Sequence, residues 1–324
     1  MLFASPYAAP AGEAANSALT ESHRALLAAA RELATTVGEE VWPGWVAEME
    51  VLLVTEEREV LLGGTRLPPG FELELEDSQL GPLASRPRVF PPSLLATMPI
   101  FGPPPTIVVG GPETTDRSSG EWLQVLLHEH FHQWQMRDPE YYSATAALDL
   151  ADGDTTGRWM LEFAFPYDDP SLGREFAGLS AELARLLRQP VEASLGSEAA
   201  ELWSRFGHLE STLELRDRRY MNLQLWQEGV ARYVELRVAE VAAAGWRPPP
   251  AVSALPDFED LGELALAGRS RLLEDLETVD LAARRRVSFY ALGAGIALLL
   301  DRTQPDWKSR YETRRFALVP LKAD

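Results

Sequence analysis

Three of the five histidines in this 324-residue chain fall within five consecutive positions, His128-Glu129-His130-Phe131-His132. On a helix His128 and His132 stand one turn apart on the same face, so two imidazoles can converge on one cation. Glu129 sits beside the first, where its carboxylate can reach a water held by that cation. His130 lies about 200° around the helix from His128 and is expected to face away, in a packing or hydrogen-bonding role. A hydrolytic metal site needs a third protein ligand and one position open to water. Glu228, in Leu225-Trp226-Gln227-Glu228-Gly229, is the candidate for that ligand. Glu235, two turns on, is about 10 Å further along the same helix, too far to share the ion. It can orient a ligand histidine through the ring's second nitrogen, or serve as a surface carboxylate paired with Arg232.

Composition narrows the chemistry. The chain contains no cysteine, which excludes disulfides, thiol catalysis and thiolate ligands and leaves a histidine and carboxylate donor set suited to zinc. A net charge of −19 argues against binding nucleic acid or an anionic membrane through a general basic field. The longest apolar run, Val287 to Leu300, is too short to cross a bilayer and reads as a buried core helix, so no membrane insertion is expected. Met1 to Ala11 lacks a basic start and a full hydrophobic segment. It is not an intact signal peptide but fits the small-residue end of one, which leaves both a cytoplasmic and an exported protein open.

The elements that must position these residues are legible in outline. Residues 1–20, rich in Ala, Pro and Ser, read as a flexible tail ahead of a single domain over 21–324. Leu26, Leu27, Ala30, Leu33 and Val37 mark an amphipathic helix that Trp42-Pro43-Gly44-Trp45 ends. Val51–Val54, Val60–Leu62, the alternating Phe71–Glu76 and Thr106–Val109 read as strands of a small, mixed or mostly antiparallel sheet, so that a helix and a sheet fill 21–117. An edge strand of such a sheet can hold an extended peptide by backbone pairing. The metal helix is expected over 118–136, capped by Ser118 or Ser119 with Gly120 and Glu121 in its first turn. Residues 137–221 read as a long helical insertion, with Phe163–Pro170 a packed loop. Its Asp149–Asp154 loop offers calcium-binding residue types but not the spacing of an EF-hand. Helices over 222–324 carry Glu228 on a segment striped by Val230, Val234, Val238 and Val241, then Ser288-Phe289-Tyr290-Ala291-Leu292-Gly293. Gly293, Ala294 and Gly295 are small enough to let that last helix approach the metal helices.

His128-Glu129-x-x-His132 followed by Trp226-x-Glu228-Gly229-x-Ala231 resembles the gluzincin metallopeptidases, most closely the aminopeptidase N and leukotriene hydrolase group, and Tyr290-x-x-Gly293 is similar to a third motif of that group. The resemblance implies an α+β, predominantly helical fold with a zincin-like (thermolysin-like) catalytic domain. It also implies Glu228 as third ligand and Tyr290 as donor to the oxyanion. Gly110-Gly111-Pro112-Glu113-Thr114 is similar to the segment by which those aminopeptidases grip a free amino terminus, which makes Glu113 a candidate substrate-binding residue. In the family a short helical connection separates the second histidine from the glutamate. Here 95 residues intervene, from Gln133 to Gln227 inclusive, so the insertion must leave and return to one spot. Asp138 stands where metzincins place their third ligand, but Gln135 occupies the position of the glycine that family needs to turn the chain back.

The expectation is a zinc-dependent metallopeptidase, a hydrolase of peptide bonds in peptide or protein substrates, with Glu129 as general base. The alternative is a catalytically inactive metal-binding or regulatory protein on the same scaffold. A purely structural zinc site would need a fourth protein ligand and gives Glu129 no purpose.

Overall fold

A computed structural model describes residues 19–45, 48–64 and 67–320. Most of the expected tail lies outside the described residues; Leu19 is buried, and Thr20 caps the first helix by accepting a hydrogen bond from the His23 amide. That helix, α1 (Glu21–Val41), ends at Trp42 as its sequence requires.

Six strands form one sheet: β1 (Val51–Val54), β2 (Arg58–Leu62), β3 (Glu72–Asp77), β4 (Gly81–Pro87), β5 (Leu95–Met98) and β6 (Thr106–Gly110), in the order β3-β4-β2-β1-β6-β5. The β1–β6 pair is parallel and the rest antiparallel, so the sheet is mixed. Strands β1 and β6 are buried throughout, because successive side chains feed two cores on opposite faces. Val51, Leu53, Ile107 and Val109 join the main core with the helices, while Leu52, Val54 and Val108 meet Phe71, Ala84 and the 90–101 segment on the other face. This is why their sequences are continuous apolar runs.

Two strands were not legible. β4, flanked by a glycine and prolines, and the half-buried four-residue β5 lack a clean alternation. The alternation at Phe71–Glu76 also misleads: a bulge shifts the β3–β4 register between Leu73 and Leu75, and Leu73 is left 67% exposed while Glu74 bonds Ser85.

Seven further helices of ten or more residues follow among the described residues: α2 (Ser119–Gln135), α3 (Pro170–Leu187), α4 (Gly196–Thr212), α5 (Leu215–Gln224), α6 (Val230–Gly245), α7 (Leu261–Glu277) and α8 (Ser288–Thr303). Among the described residues no helix is long and apolar enough to cross a membrane. Helix α2 starts with the Ser118–Glu121 capping box, each side chain bonding the other's amide. Residues 137–221, expected as a helical insertion, contain α3, α4 and most of α5. The loop residues Phe163, Phe165 and Tyr167 pack their rings on Tyr220 and Phe289, so the segment between the helices is anchored. Helices α5 and α6 are continuous through a π turn, Leu225–Gly229. Through this join the chain returns from the insertion directly under α2.

The expected close approach of α8 is real at Gly293. A Cβ there would stand 2.6 Å from Gly229 Cα, and one on Gly229 2.5 Å from Gly293 Cα, so two glycines bring α8 against the π turn backbone to backbone. Gly295 abuts Leu183 of α3 and Leu276 of α7 instead.

Candidate metal centre

Helix α2 presents His128 and His132 side by side, ring centroids 4.7 Å apart. Helix α6 and its π turn cross α2 and bring Glu228 to them: Glu228 Oε2 is 3.4 Å from His132 Nε2 and 3.9 Å from His128 Nε2. The π turn is a widened turn of the kind that recurs at functional positions in helices. Among the described residues His128, His132 and Glu228 are the cluster able to hold a metal ion.

The hydrogen bonds behind the rings decide which ring nitrogens face inward. Glu235 Oε2 lies 3.2 Å from His128 Nδ1. Burial would raise the Glu235 carboxyl, but the Arg232 charge and the bond to His128 hold it at about 2, so it only accepts and Nδ1 carries the hydrogen. His132 Nδ1 is 2.7 Å from Gln135 Oε1. The orientation of that amide is forced, because Gln135 Nε2 donates to the Trp226 and Gln227 carbonyls at 3.3 and 3.0 Å and to Tyr311 Oη at 2.6 Å. Tyr311 in turn donates to the Trp226 carbonyl at 2.5 Å. Both imidazoles therefore spend their one neutral-state hydrogen on Nδ1, leaving the Nε2 lone pairs aimed at Glu228.

The donor set fits a tetrahedral ion. Metal–ligand bonds of ~2.05 Å imply ligand–ligand edges of roughly 3.3 Å; the edges to Glu228 are 3.4 and 3.9 Å and all three ligand atoms lie within 4.8 Å of one another, so the side chains would close inward on a bound ion. Electrostatics agree. Burial pulls the His132 imidazole down, but the charge and hydrogen bond of Glu228, aided by Glu129, raise it to about 9. Glu228 itself, which burial would raise, is held at about 2 by His132, then His128 and Arg286. The pocket favours positive charge between these groups, whether proton or metal.

Glu129, on α2 and buried, has its carboxylate held by β5: Thr97 Oγ1 lies 2.8 Å from both Glu129 Oε2 and the Glu129 carbonyl. Tyr290, in the first turn of α8, takes a hydrogen bond of 2.6 Å from Arg286 Nη1. Arg286 also reaches Glu228 Oε1 at 3.4 Å. A guanidinium only donates, so the phenolic hydrogen of Tyr290 goes to another acceptor, and the Glu228 carboxylate is the one in reach.

Other candidates are engaged elsewhere. Glu113, in the short helix Pro112–Thr115, bonds His23 Nε2 at 2.9 Å and is not part of the cluster. Asp138 caps the helix Pro139–Ala146 and pairs with Arg315 at 2.7 Å. In the Asp149–Asp154 loop, Asp152 pairs with Arg216 and Asp154 caps Thr156 and Trp159, so these carboxylates serve as turn and ion-pair partners. His130 points away from the cluster, its Nε2 3.0 Å from the Glu48 carbonyl. Burial pushes it down to about 4.

Thr97, Gln135, Arg286 and Tyr311 were missed from sequence. Gln135, one turn after His132, and Arg286, one turn before Tyr290, carried a spacing signal; Thr97 and Tyr311 reach the site from distant elements.

No protein-family model, curated protein or solved structure matches the chain, so the reading of this centre rests on its own geometry.

Proposed function

We propose that the protein is a zinc-dependent metallopeptidase with a zincin-like arrangement of its catalytic elements. The observation that carries this reading is the pair of Nδ1 contacts: Glu235 and Gln135 fix both tautomers so that two Nε2 atoms and one carboxylate converge. A zinc ion held by His128, His132 and Glu228 would supply the Lewis acidity that activates water and polarises a carbonyl.

The chain's own groups do the rest. Glu129, its carboxylate steadied by Thr97, accepts the proton of the attacking water and passes it to the leaving amine. Tyr290, held by Arg286 and beside Glu228, turns its hydrogen from that carboxylate to the oxyanion and donates to it. The β5 edge, terminal in the sheet and adjacent to α2 through Thr97, pairs with an extended peptide backbone.

The test is metal analysis of the purified protein combined with cleavage of a diverse peptide library, with and without chelator. One zinc per chain and chelator-sensitive cleavage is the expected result. Stoichiometric zinc without any cleavage would sink the enzyme and favour a metal-binding or regulatory protein; absence of metal binding would sink both.

A further inference from the structure

At the candidate metal centre, Arg286 is a cation whose hydrogen-bonding capacity is left largely unspent. It sits in the 3-10 turn Arg285–Val287 that leads into α8, with its side chain 22% exposed. Its Nη1 does all the internal bonding, to Tyr290 at 2.6 Å and to Glu228 at 3.4 Å. Nε and Nη2, which carry three of a guanidinium's five hydrogens, meet no acceptor among the described residues. Neighbouring arginines are satisfied differently: Arg284 pairs with Asp275, and Arg285 lies over the Tyr167 ring with Asp168 at 3.5 Å.

Charge points the same way. Around the centre Glu129, Glu228 and Glu235 bring three negative charges, and Arg232 pairs with Glu235. A divalent ion would complete neutrality without Arg286, whose charge is then surplus in a chain of net −19. A planar fork with a free edge matches a carboxylate, which accepts two parallel N–H bonds. The inner edge already touches Tyr290 and Glu228, and one residue advances a chain by at most about 3.6 Å. A carboxylate on the outer edge is therefore within about one residue of the bond under attack, and a terminal carboxylate can lie only on the C-terminal side of that bond.

We propose that Arg286 anchors a substrate carboxylate on the residue directly after the scissile bond, so that the favoured substrates end there or carry an acidic side chain there. This rests on the hydrolase reading, and the two can fail separately.

The experiment uses the zinc-loaded full chain and three N-acylated dipeptides: one with a free C-terminus, the same with a C-terminal carboxamide, and a carboxamide ending in glutamate. The last separates a side-chain carboxylate from the terminal one. Binding is measured by calorimetry on Glu129→Gln protein, and turnover on the wild type. The expected result is that at least one carboxylate-bearing peptide binds about ten- to a hundredfold more tightly than the neutral carboxamide, the size of a charge-assisted contact. R286Q, checked for equal zinc content, should abolish that preference through KM, and R286K should restore part of it. Equal binding of all three peptides, or an R286Q variant that keeps the preference and slows all three alike, would overturn the proposal. Selective binding without turnover by the wild type would leave the anchor standing and remove the hydrolase.

Discussion

Glu235 Oε2 accepts the Nδ1 hydrogen of His128 across 3.2 Å, and this contact between α2 and α6 fixes the tautomer of a candidate ligand. The role resembles that of carboxylates behind metal-bound histidines, where loss of the partner weakens metal binding tenfold to a hundredfold. E235Q keeps the shape but removes the charge. It should lower zinc affinity by about tenfold in a chelator-competition titration while circular dichroism stays unchanged; an unaltered affinity would remove Glu235 from the site.

E129Q should keep its zinc and lose about a thousandfold in turnover, since general acid–base groups contribute 10²–10⁴. T97V, which deletes the bond steadying that carboxylate, should lose about tenfold with KM nearly constant. Steady-state kinetics on any peptide found by library screening checks both, and an E129Q enzyme at full activity would end the mechanism.

The Gly229–Gly293 contact leaves no space for a methyl group. G293A should cost about 3 kcal/mol of stability, at the upper end for overpacking, because its Cβ would stand 2.6 Å from Gly229 Cα and 2.8 Å from the Leu225 carbonyl. Gly173, in α3, has nothing within 4 Å of the same added atom. G173A should therefore stabilise by up to about 1 kcal/mol through helix propensity. Urea denaturation of the two variants compares them directly.

Two pH dependences follow, from pKa shifts of opposite direction. Without metal, His132 holds its proton up to about 9. Zinc must displace that proton, so apparent affinity should rise about tenfold per pH unit as pH increases toward 9. A pH-independent affinity in chelator competition would contradict the proton held between His132 and Glu228.

His130 is shifted the other way, and its effect is on stability. Burial lowers it from 6.5 to about 4, so between those values the unfolded chain binds a proton that the native state does not. Its stabilising effect is present above 6.5 and is lost as pH falls, by about 2 kcal/mol between neutrality and pH 5. Urea midpoints of wild type and H130Q should diverge at pH 7 and converge toward pH 5.

The sequence by itself determined the local geometry: two histidines one helical turn apart, the Ser118–Glu121 cap that starts their helix, His130 turned the other way, and the apolar runs of β1 and β6. These depend on periodicities of 3.6 and 2 that operate within a few residues. The tertiary structure decided what periodicity cannot encode. The return of Glu228 after 95 residues, the π turn that carries it, the β3 bulge and the arrival of Thr97, Arg286 and Tyr311 all depend on how separate elements pack. Glu113 and Asp138 had suitable chemistry in suitable motifs, and folding sets His23 beside the first and Arg315 beside the second, apart from the cluster. A carboxylate's partner is set by what folding brings within about 3 Å of it, and that distance is a property of the packed chain.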